Sequence, residues 1–348
     1  MLLIYFVVVI YCCAFIFGTL GNLFVMVQMI RRKLCFPANH RQATPRERSR
    51  VFIFILAVTD FAVLATIPLS LAQILDVQWI FGSFLCKFHA AVDLSGKFFS
   101  VVILTSMSCE RFLVVCTRFR YTSTPTRLMV LPLGFGILFA VIIPIVPQIL
   151  YTNLYEIRLE EEGVNFTQRV CLHYMPLHLV PIYVQYTFLT GFLLPFVIMA
   201  VCYVLLVRHV RQKYRERTAV NRSPHSSLRG NRPKYMNGLT RSIIRIAIFH
   251  FSCWAPFWIF SLMPVFADAF GLHFNPQADW FQSGKLLSNL LPYINSAGNS
   301  ILYAWLNKDI RKHLWRPNSR LRTGKESTPG TALQSAVLQS ESFNPTSD

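Results

Sequence analysis

Seven stretches of this chain are each long and apolar: about 2–30, 51–75, 84–116, 128–151, 181–207, 243–267 and 280–306. A bilayer core is crossed by a helix of about 20 apolar residues, and each stretch reaches that length. In hydrocarbon the backbone must satisfy its own N–H and C=O groups, so such stretches have to be helices. The expected fold is therefore an all-α membrane protein, a bundle of seven transmembrane helices. An odd number of crossings places the two termini on opposite sides.

Charge supplies the orientation. The chain is 53% hydrophobic and only 14% charged, yet its net charge is +18. Arg31, Arg32, Lys33, Arg41, Arg46, Arg48 and Arg50 lie between the first and second stretches. Arg118, Arg120 and Arg127 follow the third, a dense basic run from Arg208 to Arg241 separates the fifth and sixth, and Lys308, Arg311, Lys312 and Arg316 follow the seventh. The alternate loops hold mainly Asp76, Glu156, Glu160, Glu161, Glu162, Asp268 and Asp279. Basic loops stay in the cytoplasm, so the N-terminus is expected outside and the C-terminus inside. The basic surplus then faces the anionic lipid of the inner leaflet rather than nucleic acid. The first stretch lacks a basic leader and exceeds a signal-peptide core, so it reads as an anchor that remains as a helix.

Residues 1–316 form one membrane domain, and residues 317–348 a polar tail rich in Ser, Thr and Pro that is expected to be disordered. Between them, Asn307 to Trp315 is amphipathic and too short to span, which suits a helix on the inner surface. Of nine cysteines, Cys86 and Cys171 map to the exterior, where oxidation favours one disulfide between them. The outer loop 152–180 carries a glycosylation sequon at Asn165, whereas the match at Asn221 lies in a cytoplasmic loop. Pro68, Pro144, Pro195, Pro256 and Pro264 fall inside spans, where they kink helices.

Two charges stand out within the third stretch, Asp93 and, eighteen residues on, Arg111. Five helical turns separate them, roughly 27 Å along one face, which puts them near opposite rims of the hydrocarbon. A carboxylate at such depth must face a bundle interior or a wet cavity. Asp93 therefore reads as an anchor for a cation arriving from outside, or as the partner of Lys97 one turn below.

Further landmarks fall in a fixed order: Gly21-Asn22, Leu56-Ala-Val-Thr-Asp60, Cys86, Asp93, Ser100, Glu110-Arg111-Phe112, Pro195 with Tyr203, Cys253-Trp254-Ala255-Pro256, and Asn295 to Tyr303. This set resembles the rhodopsin-like family of G-protein-coupled receptors over about residues 18–315. The resemblance implies that Glu110, Arg111, Tyr203, Asn299 and Tyr303 form the switch that meets a heterotrimeric G protein. It implies that Trp254 is a hinge under the ligand. It also implies a sodium ion held by Asp60, Ser100, Asn295 and Asn299, an oxygen-rich set suited to a small hard cation. No other cofactor is expected, and arrestin is an expected reader of the Ser/Thr tail. Departures are visible as well. Ser300 stands where the family usually has proline, His250 where it has phenylalanine, and Phe135 where it has tryptophan. Met236 stands where an acidic partner for Arg111 often lies, and the first inner loop, at about twenty residues, is longer than usual.

An aspartate at the matching position occurs in amine receptors and in somatostatin-, opioid- and allatostatin-like peptide receptors. Tyr293, Trp79-x-Phe81-Gly82 and an outer loop long enough for a β-hairpin lid are similar to the peptide group. Glu160, Glu161 and Glu162 would steer a cation, and Phe257 and Trp258 would line the pocket floor. The reading is a plasma-membrane receptor for a cationic neuropeptide, coupled by resemblance to an inhibitory G protein. An amine receptor is the alternative, and a seven-helix transporter a weaker one, since neither repeats nor a path of charges appears. An opsin would need a lysine where Tyr293 stands, and no nucleophile–base spacing suggests an enzyme.

Overall fold

The computed structural model of this chain describes residues 2–31, 45–75, 78–116, 133–161, 164–220 and 234–306. Seven helical segments cross it in order. They are α1 (Leu2–Arg31), α2 (Pro45–Ala65, resuming as Ile67–Ile74) and α3 (Gly82–Cys116). Then come α4 (Leu133–Tyr151), α5 (Val180–Phe188, a π turn at Leu189–Leu193, then Leu194–Val220), α6 (Lys234–Ala269) and α7 (Asp279–Leu306). The first six are both long and apolar enough to cross a membrane. The seventh is long enough at 28 residues but is interrupted by Gln282, Lys285, Asn289, Asn295 and Asn299. It is held among α1, α2 and α6, where Asn295 and Asn299 are buried within the protein, while Gln282 and Lys285 near its start are exposed.

The ends differ from the expectation in a consistent way. α2 starts at Pro45 rather than Val51, α5 runs on to Val220 rather than Val207, and α6 starts at Lys234 rather than Ile243. Basic residues dominate these extensions, and a helix that leaves the hydrocarbon can continue in water with no apolar signal to announce it. The early start of α2 also shortens the first inner loop. Residues 307–348, with the expected surface helix and tail, lie outside the described residues, as do Glu162 and Asn221. So do the side chains of Glu160, Glu161, Asn165, Met236 and Tyr303.

α3 is the axis of the bundle, touching α2, α4, α5 and α6 as well as the hairpin that follows α4. One core packs Leu56, Leu104, Met107 and Ile246, all but free of solvent, from α2, α3 and α6. α1 crowds α2 and α7 at Gly18, where a Cβ would meet the Leu64 side chain at 2.7 Å and the Ala297 backbone at 3.0 Å. Only glycine permits that approach.

The prolines act through two π turns. In α4 the turn spans Leu138–Ile142, just before Pro144, and in α5 it precedes Pro195. A proline clashes with the carbonyl four residues back, and widening the turn relieves the clash. The Ile143 N–H then bonds Leu138 O instead of Phe139 O, and Pro144 has no N–H to offer Phe139 in its place. The Tyr186 hydroxyl from α5 donates to that stranded carbonyl at 2.8 Å.

Between α4 and α5 the chain forms the expected hairpin: β1 (Thr152–Glu161) pairs antiparallel with β2 (Val164–His173), Thr152 opposite His173. A disulfide joins Cys86 at the top of α3 to Cys171 in β2, with Cα atoms 5.7 Å apart. The Trp79 N–H bonds Arg169 O at 2.8 Å, and the Gln73 side chain bonds Cys171 O at 2.9 Å, so the strand is fastened from three directions. Trp79 lies buried against the bridge, its indole donating to Gly82 O at 2.9 Å, and Gly82 turns the chain into α3 at φ +76. Burial keeps the His173 imidazole, 3.2 Å from Thr152 Oγ1, below the ordinary histidine range.

Replacing Tyr186 by phenylalanine leaves the Phe139 carbonyl without a donor while keeping the ring. The expected loss is about 1 kcal/mol, since hydrogen bonds between membrane helices are worth that order. It is measured as a lower midpoint in thermal denaturation of the purified protein, and an unchanged midpoint would show the carbonyl to be satisfied otherwise.

Candidate functional site

Asp93, Trp254, Phe257, Trp258 and Tyr293 line one cavity of about 460 Å³. α3 contributes Asp93, α6 the two tryptophans and Phe257, and α7 Tyr293. Trp254 packs edge-on against Phe257, and Phe98 of α3 lies 6.4 Å from Trp258, forming an aromatic floor.

Asp93 is not bare. Lys97, one turn along α3, places its Nζ 2.7 Å from Oδ2, and the Tyr293 hydroxyl donates to Oδ1 at 2.7 Å. The same ammonium sits 4.1 Å from the centre of the Tyr293 ring, a cation–π contact. Of the two readings left open for Asp93, the pairing with Lys97 is therefore present, while both side chains still line the cavity at 23% and 14% exposure.

Two further residues complete the network. Ser70 Oγ lies 3.1 Å from the Tyr293 oxygen and 3.1 Å from His89 Nε2. A carboxylate can only accept, so the Tyr293 proton points at Asp93. Ser70 Oγ also donates to Thr66 O at 3.3 Å, which ties Tyr293 and His89 to the backbone of α2. His89 was legible in principle, standing one turn above Asp93 on the same helical face. Ser70 comes from α2 and carries no sequence signal.

The middle level gathers around Asp60, which is fully buried. Asn299 donates to its Oδ2 at 3.0 Å, and Ser100 reaches its Oδ1 at 3.5 Å. Ser296 lies beside the same carboxylate. Asn299 Oδ1 is buried without a partner among the described residues. A carboxylate, two hydroxyls and a spare amide oxygen are a donor set that fits a small hard cation. Asn295 is engaged elsewhere, its Oδ1 lying 3.1 Å from His250 Nδ1, while Asn22 of α1 donates to Ser296 O at 3.2 Å.

At the far end of α3 from Asp93, Glu110 and Arg111 are both almost wholly buried and pair at 3.1 Å. Glu110 is also bridged by Arg48 of α2, whose Nε stands 2.8 Å from Oε1. Sequence reasoning missed Arg48, one of many arginines near the first inner loop. Nearby, Tyr203 of α5 and Ser108 of α3 hydrogen-bond at 2.6 Å. Tyr303 falls within α7, but its side chain is outside those described.

A bundle of this order, with a hairpin fastened by a disulfide to the start of α3, matches a known family. The family described as 7 transmembrane receptor (rhodopsin family) matches residues 21–303. The chain belongs to this family of G-protein-coupled receptors, multi-pass membrane proteins that are not enzymes. Among its relatives, neuropeptide receptor 18 of Caenorhabditis elegans is 28% identical over 334 residues, covering 90% of this chain and 67% of that protein. Somatostatin receptor type 1 of Rattus norvegicus is 26% identical, covering 97% and 78%. Type-1 angiotensin II receptor A of Xenopus laevis is 22% identical, covering 88% and 77%.

Replacing Tyr293 by phenylalanine removes the donor on Asp93 Oδ1 and the hydroxyl partner of Ser70 Oγ in one step. Unmatched buried polar groups cost about 1–3 kcal/mol. The purified ligand-free protein should melt earlier by a corresponding amount, and unchanged melting would mean that Lys97 alone suffices to hold Asp93.

Proposed function

We propose that this chain is a cell-surface receptor for an extracellular neuropeptide that presents a basic group to Asp93, and that it signals through an inhibitory heterotrimeric G protein. One observation carries the reading: a carboxylate lining a cavity among α2, α3, α5, α6 and α7, ringed by aromatic side chains. The neuropeptide and somatostatin receptors among the relatives support it.

Glu110, Arg111 and Tyr203 act as the G-protein switch in this reading, with Arg48 as a further member. Arg48 competes with Arg111 for one carboxylate, and that competition sets how firmly Arg111 is held. Asp60, Ser100, Ser296 and Asn299 would hold a sodium ion, which supplies a positive charge opposite the buried carboxylate. Arrestin at the Ser/Thr tail, lipid at the segment 307–315, glycan at Asn165 and an extracellular N-terminus complete the proposal.

The primary test expresses the chain in cells, screens basic synthetic peptides for G-protein activation, and repeats the active ones on Asp93→Asn. Truncating one partner of a close charge pair costs at least 2 kcal/mol, so potency should fall about thirtyfold or more. The double variant Asp93→Asn/Lys97→Met controls for the stranded ammonium, and undiminished potency in either would remove Asp93 as the anchor.

The switch predicts opposite signs for two neutralisations. Glu110→Gln takes the shared carboxylate from both arginines and should raise ligand-independent nucleotide exchange about fivefold. Arg48→Met leaves Glu110 to Arg111 alone and should lower it. Changes of the same sign in both variants would refute the competition.

Replacing a large organic cation by sodium at constant ionic strength should lower affinity for an active peptide about fivefold, because an ion that prefers one state depletes the other. Asp60→Ala should abolish the effect. Sodium-independent binding in the unmodified receptor would leave this level a polar network without an ion.

A further inference from the structure

We propose that the ligand carries a carboxylate beside its basic group, with Lys97 receiving the acid as Asp93 receives the base. The inference rests on the reading of the cavity as a basic-peptide site and narrows the class of peptide to one with a zwitterionic end. It starts from charge balance. Asp93 and Lys97 line the cavity as a joined pair, 2.7 Å apart, so the pocket floor is electrically neutral before anything enters. A ligand cation that displaces Lys97 leaves an ammonium stripped of its counterion in a part-buried, largely aromatic setting. A ligand cation that shares Asp93 leaves the same surplus of one positive charge. Breaking a buried pair without replacing the lost partner is heavily unfavourable. A carboxylate on the ligand restores neutrality in both cases.

The hydrogen-bonding inventory points the same way. Asp93 already accepts from Lys97 and Tyr293. This floor therefore holds one well-supplied acceptor and an ammonium whose carboxylate partner is the group a ligand's base would engage. The cavity is of a size that encloses a small ligand, which suits a chain end better than a passing loop. The simplest peptide end that brings both charges together is a C-terminal arginine or lysine with its α-carboxylate free.

The test uses two hexapeptide pools that end in arginine, one as the free acid and one as the C-terminal amide. The upstream positions are randomised without Asp or Glu, so that the terminal carboxylate is the only acid. G-protein activation is read in cells bearing the unmodified receptor, Lys97→Met or Lys97→Arg at matched surface expression. The acid pool should act on the unmodified receptor at about tenfold lower concentration than the amide pool. Lys97→Met should reduce that ratio to about one, and Lys97→Arg should preserve it. Equal or reversed potency on the unmodified receptor, or a ratio that survives Lys97→Met, overturns the inference and leaves the basic-peptide reading standing. Silence of both pools on every version overturns the basic-peptide reading and this inference with it.

Discussion

A charge in hydrocarbon must find its opposite within the bundle, and α3 is where this chain meets that demand. Asp93 takes Lys97 and Tyr293, and Glu110 takes Arg111 and Arg48. Between them Ser100 reaches across to the buried carboxylate of Asp60. Three polar levels are thus stacked along one helix, spread over roughly 25 Å at 1.5 Å per residue. Each takes partners from other helices, so the polar groups that are most expensive to bury also fix which helices lie side by side. The apolar core fills the space between these levels but does not by itself choose the neighbours, because lipid tails are as apolar as leucine.

The levels are joined by packed side chains. Phe98, next to Lys97, contacts Trp254 at 6.5 Å between ring centres, and Trp254 lies 5.7 Å from His250. His250 meets Asn295, and one turn further along α7 Asn299 meets Asp60. His250 thus puts a polar, hydrogen-bonded ring at a position where the family usually carries an apolar one. A contact path of this kind is a physical route between the cavity and the buried carboxylate, though coupling along it requires an element with two arrangements.

Much of the architecture was legible because hydrocarbon imposes a simple rule on sequence. Apolar runs located all seven helices, although polar residues dilute the signal of the last, and the hairpin and disulfide followed from loop length and from which side each cysteine faces. The helix extensions at Pro45, Val220 and Lys234 were not legible, since outside the membrane a basic helix and a basic loop have similar compositions. The cavity residues Asp93, Trp254, Phe257, Trp258 and Tyr293 were found individually, but their partners were not. Whether Asp93 holds Lys97 was left open by the i,i+4 spacing, which allows a pair without requiring one. Ser70, Arg48 and the His250–Asn295 contact join residues far apart in the chain, and no local pattern encodes them.

The π turn in α5 has a consequence for how its two halves can change independently. Because Leu189–Leu193 holds one residue more than an α turn would, the wheel positions of Val180–Phe188 are out of phase by roughly 100° with those of Leu194–Val220. Tyr183, Val184 and Thr187 face the cavity only because of that offset. Tyr203 keeps its place against Ser108 whatever happens upstream. Loss of a single residue within the turn would rotate the upper half of the helix and present a different set of side chains to the cavity. The lower half would stay in register, so a change of cavity lining is available to this fold through one codon's deletion.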